Sequence, residues 1–156
     1  TKTNIVCSNA TPGYEGTPVY GWNLNSAETQ LCENLSSLVS DNDCVFSKYS
    51  YDCFAHTSLE FELKRRHIKT VIVVGTVVNW CVDSTVRSAY HKDYNVVVLS
   101  DCVSGYEHAG TTGDKWVDIE LDLFAEGFAE VMSSDAAISE LNKISIINET
   151  KKSSSF

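Results

Sequence analysis

The stretch VIVVGTVVNWCVDST, residues 71–85, decides the fold class of this chain. A run of branched apolar residues ends at Gly75, and Trp80 and Cys81 follow before a segment with helical spacing. An apolar run without alternation is typical of a strand that is buried on both faces of a parallel sheet. The position of Cys81 just after such a strand leaves three alternatives: a nucleophile, half of a disulfide, or a core side chain.

Strand and helix patterns alternate along the rest of the chain. Strands are predicted for residues 3–8, 43–47, 70–75, 95–101 and 129–133, and helices for residues 26–38, 56–67, 81–91, 115–126 and 135–142. Thr57 followed by Glu60 predicts a capping box on the second helix. This alternation predicts an α/β fold in which a parallel sheet lies between two layers of helices. We expect one domain over residues 1–147 and a disordered tail over 148–156.

Composition narrows the classes of partner. The chain has 156 residues, of which 43% are hydrophobic, and a formal net charge of −9. Nucleic acid and anionic membranes are excluded as partners because a phosphate surface attracts a basic footprint. No apolar run approaches the length of a membrane-spanning helix. A small-molecule substrate remains compatible with this charge.

Cysteine content and sequons favour secretion over a cytoplasmic location. The chain has six cysteines and three N-x-S/T sequons, which makes Asn9, Asn34 and Asn148 candidate glycosylation sites. If Cys81 stays reduced, an odd number of cysteines remains, so disulfides would leave one thiol over or bonded to another chain. Because the chain starts with Thr1 and shows no signal peptide, we expect a processed or truncated product.

The carboxyl ends of the strands are where a parallel sheet places its ligand site. Lys48 follows the strand at 43–47 and Cys81 follows the strand at 70–75. If these strands are neighbours, both side chains open into one crevice. The start of the following helix would favour a thiolate at Cys81, and its N–H groups could hold an oxyanion. A buried or disulfide-bonded cysteine remains the alternative.

Residues 46–101 carry a longer pattern, made of a lysine, a short aromatic loop, T-x-L, a strand, G-x-x-x-N-x-C-V, an S-T pair and an aliphatic strand ending in Asp. The residues concerned are Lys48, Tyr51 to Phe54, Thr57, Leu59, Gly75, Asn79, Cys81, Val82, Ser84, Thr85 and Asp101. The pattern resembles the isochorismatase-like cysteine hydrolase family. The turn that contains Cys81 is most similar to that of ureidoacrylate and carbamoyl-amide hydrolases.

The resemblance implies a six-stranded parallel sheet in three layers and a catalytic triad of Asp, Lys and Cys. The lysine role falls on Lys48 and the nucleophile role on Cys81. A cis peptide is implied at Thr76–Val77, with the N–H groups of Val77 and Cys81 directed at the oxyanion. No cofactor is expected. The histidines that bind metal in the nicotinamidase branch precede the lysine, and no histidine precedes Lys48 here.

The chain departs from the family pattern at its beginning. The family's Asp ends the first strand, whereas residues 3–8 resemble the second strand, so the first strand and helix are not found. A parallel sheet without that strand has two open edges. We therefore expect an N-terminal fragment or a second chain to complete the sheet and supply the Asp. We also expect a homo-oligomer.

Five further residues near the expected site have two interpretations each. Asp101 could act as a base or, as we favour, cap a helix or loop. Asn79 could brace the turn or contact substrate. Tyr51, Phe54 and Trp80 could line a pocket or fill the core.

Two functions follow from these observations. The first is a cysteine hydrolase that acts on a C–N bond of a small amide or ureido compound, or on an isochorismate-like acid, once an Asp is supplied. The second is an inactive secreted glycoprotein that keeps the fold as a structural or assembly subunit.

Overall fold

The computed structural model describes residues 5–9, 31–48 and 50–153 of the chain. The strands in these ranges are β1 (Ile5–Asn9), β2 (Cys44–Lys48), β3 (Thr70–Thr76), β4 (Asn95–Ser104) and β5 (Glu130–Met132). The helices are α1 (Glu33–Ser36), α2 (Leu59–Arg65), α3 (Asp83–His91), α4 (Gly113–Gly127) and α5 (Ser134–Ser153). The alternation of strands and helices confirms the predicted α/β fold class.

Every strand pairing in the described residues is parallel. β1 pairs with β2, and β3, β4 and β5 form a second sheet in that order. The register places Asn9 opposite Lys48 and Thr70 opposite Asn95. The continuous sheet that was expected is therefore present as two parallel pieces, with no pairing between the pieces in the described part of the chain.

The core lies between the three-stranded sheet and helices α2, α3 and α4. Its largest fully buried side chains are Val78, Val86, Val98 and Phe124. α3 buries Val86 and Ala89 at helical spacing, and β4 buries Val96 and Val98 at strand spacing. None of the described helices is long and apolar enough to cross a membrane.

The prediction that β3 is buried on both faces is wrong for one face. Val71 and Val73 pack against the core, whereas Ile72 is 42% exposed and Val74 is 51% exposed. Alternate residues of a strand point to opposite faces, so Ile72 and Val74 share one face. Within the described residues that face is left open, which is why its apolar side chains reach solvent.

The start of α2 also differs from the prediction. α2 begins at Leu59, and the side chain of its N-cap residue, Ser58, makes no capping hydrogen bond. The Thr57 hydroxyl instead accepts from the N–H of Leu59 at 3.2 Å and donates to the carbonyl of Cys53 at 2.6 Å. The capping box with Glu60 does not form because Thr57 is engaged in closing the preceding turn.

Two other helices have different bounds from those predicted. The helix predicted over 26–38 is helical only at Glu33–Ser36 in the described residues, and residues 26–30 lie outside them. α5 continues to Ser153, past the predicted end at residue 142 and into the segment for which a disordered tail was expected. Propensity patterns place helices better than they place helix ends.

Candidate active site

Lys48 is the last residue of β2 and is only 3% exposed. Its ammonium donates to the carbonyl oxygens of Ser50 at 2.8 Å and Tyr51 at 2.9 Å. The lysine side chain is thus held beneath the loop that follows β2, at the carboxyl end of the strand. Since Lys48 is almost fully buried, it is not a solvated surface lysine.

Cys81 lies in a π-helical turn, Val78–Val82, between β3 and α3. The Thr76–Val77 peptide bond that leads into this turn is cis, as the resemblance implied. The Val77 carbonyl accepts from the N–H groups of Trp80 at 3.1 Å and Val82 at 3.2 Å. Cys81 is partly exposed and precedes the first residue of α3 by two positions, close to the positive end of the helix dipole.

Hydrogen bonds dock the loop after Lys48 onto the cysteine turn. The Thr85 hydroxyl donates to the carbonyl of Cys81 at 2.7 Å and accepts from the N–H of Cys53 at 3.1 Å. The Ser88 hydroxyl donates to the Asp52 carboxylate at 2.6 Å. β2 and β3 are not paired neighbours, contrary to the condition set from the sequence, so α3 makes the link between the two loops.

Aromatic side chains divide between the site and the core. Tyr51 and Trp80 are 46% and 37% exposed, and their rings pack edge to face with their centroids 5.1 Å apart. This contact joins the loop that holds Lys48 to the residue before Cys81. Phe54 is instead a core residue that stacks on Tyr94 at 5.9 Å, so the structure does not bring it into the site as a pocket wall.

Asn79 contacts a residue that the sequence did not associate with the site. Its Nδ2 lies 3.1 Å from Nε2 of His108, which belongs to the loop between β4 and α4. The His108 ring also approaches the rings of Trp80 at 6.5 Å and Trp116 at 4.7 Å. No local sequence pattern links His108 to a turn 29 residues away.

Asp101 has the structural role that we favoured. Its carboxylate accepts from the backbone N–H of Ser134 at 2.8 Å and from the Ser134 hydroxyl at 2.6 Å. These hydrogen bonds, led by that from the hydroxyl, lower the pKa of Asp101. Asp101 therefore braces the start of α5, and this interaction uses both of its carboxylate oxygens.

The expected disulfides are not found among the described cysteines. No disulfide joins any two of Cys32, Cys44, Cys53, Cys81 and Cys102. In the described part of the chain, no three His, Cys, Asp or Glu side chains converge as a metal site. Of the sequons, Asn34 is exposed on α1, while Asn9 and Asn148 have only their backbone described.

The comparisons with known proteins show the family of the chain. Residues 9–137 match the Isochorismatase domain family. The chain belongs to this family. The matched region contains all of β2, β3, α3 and β4, including both Lys48 and the Cys81 turn, and so confirms the resemblance on which the site residues were assigned.

Individual relatives are similar over shorter stretches. Ureidoacrylate amidohydrolase RutB of Methylorubrum extorquens is 41% identical over 59 residues, which is 38% of this chain and 24% of RutB. Secreted isochorismatase effector Isc1 of Verticillium dahliae is 27% identical over 107 residues, covering 68% of this chain and 56% of Isc1. The chain thus spans about a quarter of one relative and about half of the other.

A solved structure supports the fold. The cysteine hydrolase from Pseudomonas syringae pv. phaseolicola 1448A superposes with a TM-score of 0.78 at 24% identity, over 89% of this chain and 71% of that one. At this identity the likeness supports the isochorismatase-like fold, and nothing finer.

Proposed function

We propose that this domain is a cysteine hydrolase that cleaves a C–N bond of a small amide or ureido compound. The observation that supports this proposal most directly is that the Lys48 loop and the Cys81 turn are joined through Thr85 and through the Tyr51–Trp80 contact. Membership of the isochorismatase family and the local identity to an amidohydrolase support the reaction class. An isochorismate-like acid is the other substrate class compatible with the family.

In the proposed reaction the Cys81 thiolate attacks the carbonyl carbon of the substrate. The N–H groups of Val77 and Cys81, which the resemblance assigns to this role, would stabilise the oxyanion that forms. Collapse of the tetrahedral intermediate breaks the C–N bond, and the nitrogen leaves after it takes a proton. Water then hydrolyses the thioester, which releases the acid and restores the thiol.

The buried ammonium of Lys48 would be stabilised by an acidic partner. It is bonded to two carbonyl oxygens, and within the described residues no carboxylate lies within ion-pair distance of it. A buried charge without a counter-ion is unfavourable. We therefore propose that the Asp implied by the family pattern lies beside Lys48 in the active protein and takes and returns the proton during the reaction.

We further propose that a strand and helix from an N-terminal fragment or a second chain bring this Asp. In the described residues β1 and β3 each pair along one edge only, and the exposed Ile72 and Val74 lie on the open face of β3. The related hydrolase structure is longer than this chain, of which it matches 89%. An added strand would pair with an open edge and its helix would cover the apolar face.

The test is a measurement on protein purified without denaturation. Intact mass with and without reductant should reveal a co-purifying segment of roughly 30–40 residues, the size of a strand–helix unit. Such protein should release ammonia or a free amine from small amides or ureido compounds, and Cys81→Ala should abolish the release. Cys102→Ala, at an exposed thiol on β4, is the matched control. Full activity in Cys81→Ala would overturn the proposal, as would a disulfide at Cys81.

Secretion is a separate proposal, supported by the sequons and by the name of the relative Isc1. Asn34 is exposed on α1 and could accept a glycan. Treatment of native protein with a peptide N-glycosidase should lower its mass and convert the glycosylated asparagine to aspartate. If the glycans are present but the completing segment is absent and no amide is cleaved, the structural-subunit alternative replaces the hydrolase.

A further inference from the structure

Both ring nitrogens of His108 have a partner. Nδ1 lies 3.1 Å from the carbonyl oxygen of Tyr106, and Nε2 lies 3.1 Å from Nδ2 of Asn79. A carbonyl oxygen can only accept a hydrogen bond, and an amide NH2 can only donate one. The two contacts are satisfied together only by a neutral imidazole that carries its proton on Nδ1.

The ring is fixed in place by the groups around it. The Trp116 ring of α4 stacks on the His108 ring, with 4.7 Å between centroids and 11° between planes. The Tyr106 ring packs on it with 4.7 Å between centroids. The indole N–H of Trp116 donates to the His108 carbonyl at 3.2 Å. The side chains that make a hydrogen bond or a ring contact with His108 are those of Asn79, Trp80, Tyr106 and Trp116, of which only Tyr106 is ionisable. No ion pair involves His108 in the described residues.

The two polar atoms of the Asn79 side chain differ in their hydrogen bonding. Its Oδ1 is buried and has no hydrogen-bond partner among the described residues. A buried acceptor without a donor is unfavourable, and the contact of Nδ2 with His108 offsets part of this cost. Asn79 is also the residue at which the turn departs from helical geometry, with φ −90° and ψ 17°.

We propose that His108 is a positioning residue for the nucleophile. In its neutral form it fixes the Asn79 carboxamide, and through Asn79 it fixes the turn that presents Cys81. A proton on Nε2 would set N–H against NH2, so this hydrogen bond would be lost unless the amide reversed. This inference rests on the proposed function of Cys81, and it makes the reactivity of that thiol depend on the protonation state of His108.

The first test measures the rate at which iodoacetamide modifies Cys81, read by peptide mass spectrometry. His108→Phe keeps the stacking and removes both nitrogens, and should slow the reaction about ten-fold, since small displacements of a reacting group are costly. His108→Gln supplies an oxygen that can accept from Asn79 and should restore most of the rate. His91→Phe, on the exposed end of α3, is the control. Equal rates in the wild type and His108→Phe would overturn the proposal.

The pH dependence separates positioning from a general loss of structure. A proton added at Nε2 would oppose the NH2 group of Asn79, so lowering the pH should slow modification more in the wild type than in His108→Gln. Parallel pH profiles for the two proteins would contradict the proposal. The profile in His91→Phe should match that of the wild type.

The second test does not depend on catalysis. In protein labelled with ¹⁵N, two-bond correlations should show His108 protonated on Nδ1 and bare on Nε2 at pH 8. The Asn79 side-chain amide signals should move as the pH falls, and should not move in His108→Gln. A proton on Nε2 at pH 8, or an unresponsive Asn79 amide, would overturn the positioning role. If instead both NMR results hold while Cys81 reacts no faster than Cys102, the proposed nucleophile is wrong and the coupling stands.

Discussion

The two faces of β3 have similar sequences and different surroundings. Val71 and Val73 pack against the core, whereas Ile72 and Val74, of the same apolar kind, are about half exposed. A strand that is apolar at every position is typical of a sheet that is covered on both sides. The difference indicates that the sequence of β3 is adapted to a more complete domain than the described residues form.

The largest effect is expected on the covered side. Phe124 of α4 is fully buried in the core, so Phe124→Ala should lower the free energy of unfolding by about 3–5 kcal/mol through lost burial and a cavity. Ile119 lies on the same helix and is 42% exposed, which makes Ile119→Ala the matched control. Urea unfolding of both variants should separate them clearly, and equal losses would mean that α4 does not cover the core as described.

A smaller loss is expected where the Lys48 loop meets α3. Thr85→Val keeps the side-chain shape but leaves the N–H of Cys53 without its acceptor, which should cost about 1–3 kcal/mol. Thr85→Ser retains the hydroxyl and should lose less. If the proposed function is right, Thr85→Val should also reduce kcat for amide cleavage, because Lys48 and Cys81 are no longer held together. A stability loss in Thr85→Ser equal to that in Thr85→Val would assign the effect to packing.

Much of the fold could be predicted from the sequence because its signals are local. The apolar run of β3, the spacing of Val82, Val86 and Ala89 before the next strand, and the run that forms β4 each identify their own element. Lys48 and Cys81 could be selected because each ends or follows a strand, and parallel strands gather their carboxyl ends at one edge. The family pattern added the cis bond at Thr76–Val77, which the structure contains.

The contacts that assemble the site could not be predicted because they join distant segments. The Cys53–Thr85 bond spans 32 residues and the Asn79–His108 contact spans 29. Neither Thr85 nor His108 stands in a local pattern that specifies its partner. The wrong prediction that β3 is buried on both faces has a different origin. An apolar run indicates that both faces of a strand need to be covered, but it does not identify the segment that covers each face.

A substitution on the open face of β3 tests directly whether another segment covers that face. Ile72→Ala should cost less than about 1 kcal/mol in the chain alone, because much of the side chain is already in contact with water. If the proposed segment covers this face, the same change should cost about 2–5 kcal/mol in its presence, as for a buried isoleucine. Urea unfolding of the chain with and without the proposed segment measures both values. An equal cost in the two states would mean that the segment does not cover this face.

The smallest effect is expected at Glu120, whose partly buried carboxylate lies between α4 and α3 on the covered side. Burial, and next the negative charge of Asp83, raise the pKa of Glu120, while Arg87 opposes the shift. Oε2 of Glu120 is buried and has no partner in the described residues. The folded protein therefore holds this proton at a higher pH than the unfolded chain does, and stability is lost as the pH rises from the ordinary glutamate value of 4.5 through the raised one.

Glu120→Gln removes this titration and tests the sign. At pH 7 the variant should unfold at a temperature higher by about 1–2 °C, a fraction of a kcal/mol for a chain of this size. At pH 4, which is below the ordinary glutamate value of 4.5, the difference should be smaller. Thermal unfolding at the two pH values measures it, with Glu126→Gln on the exposed side of α4 as the control. A difference that is independent of pH would show that Glu120 is not a source of strain between the two helices.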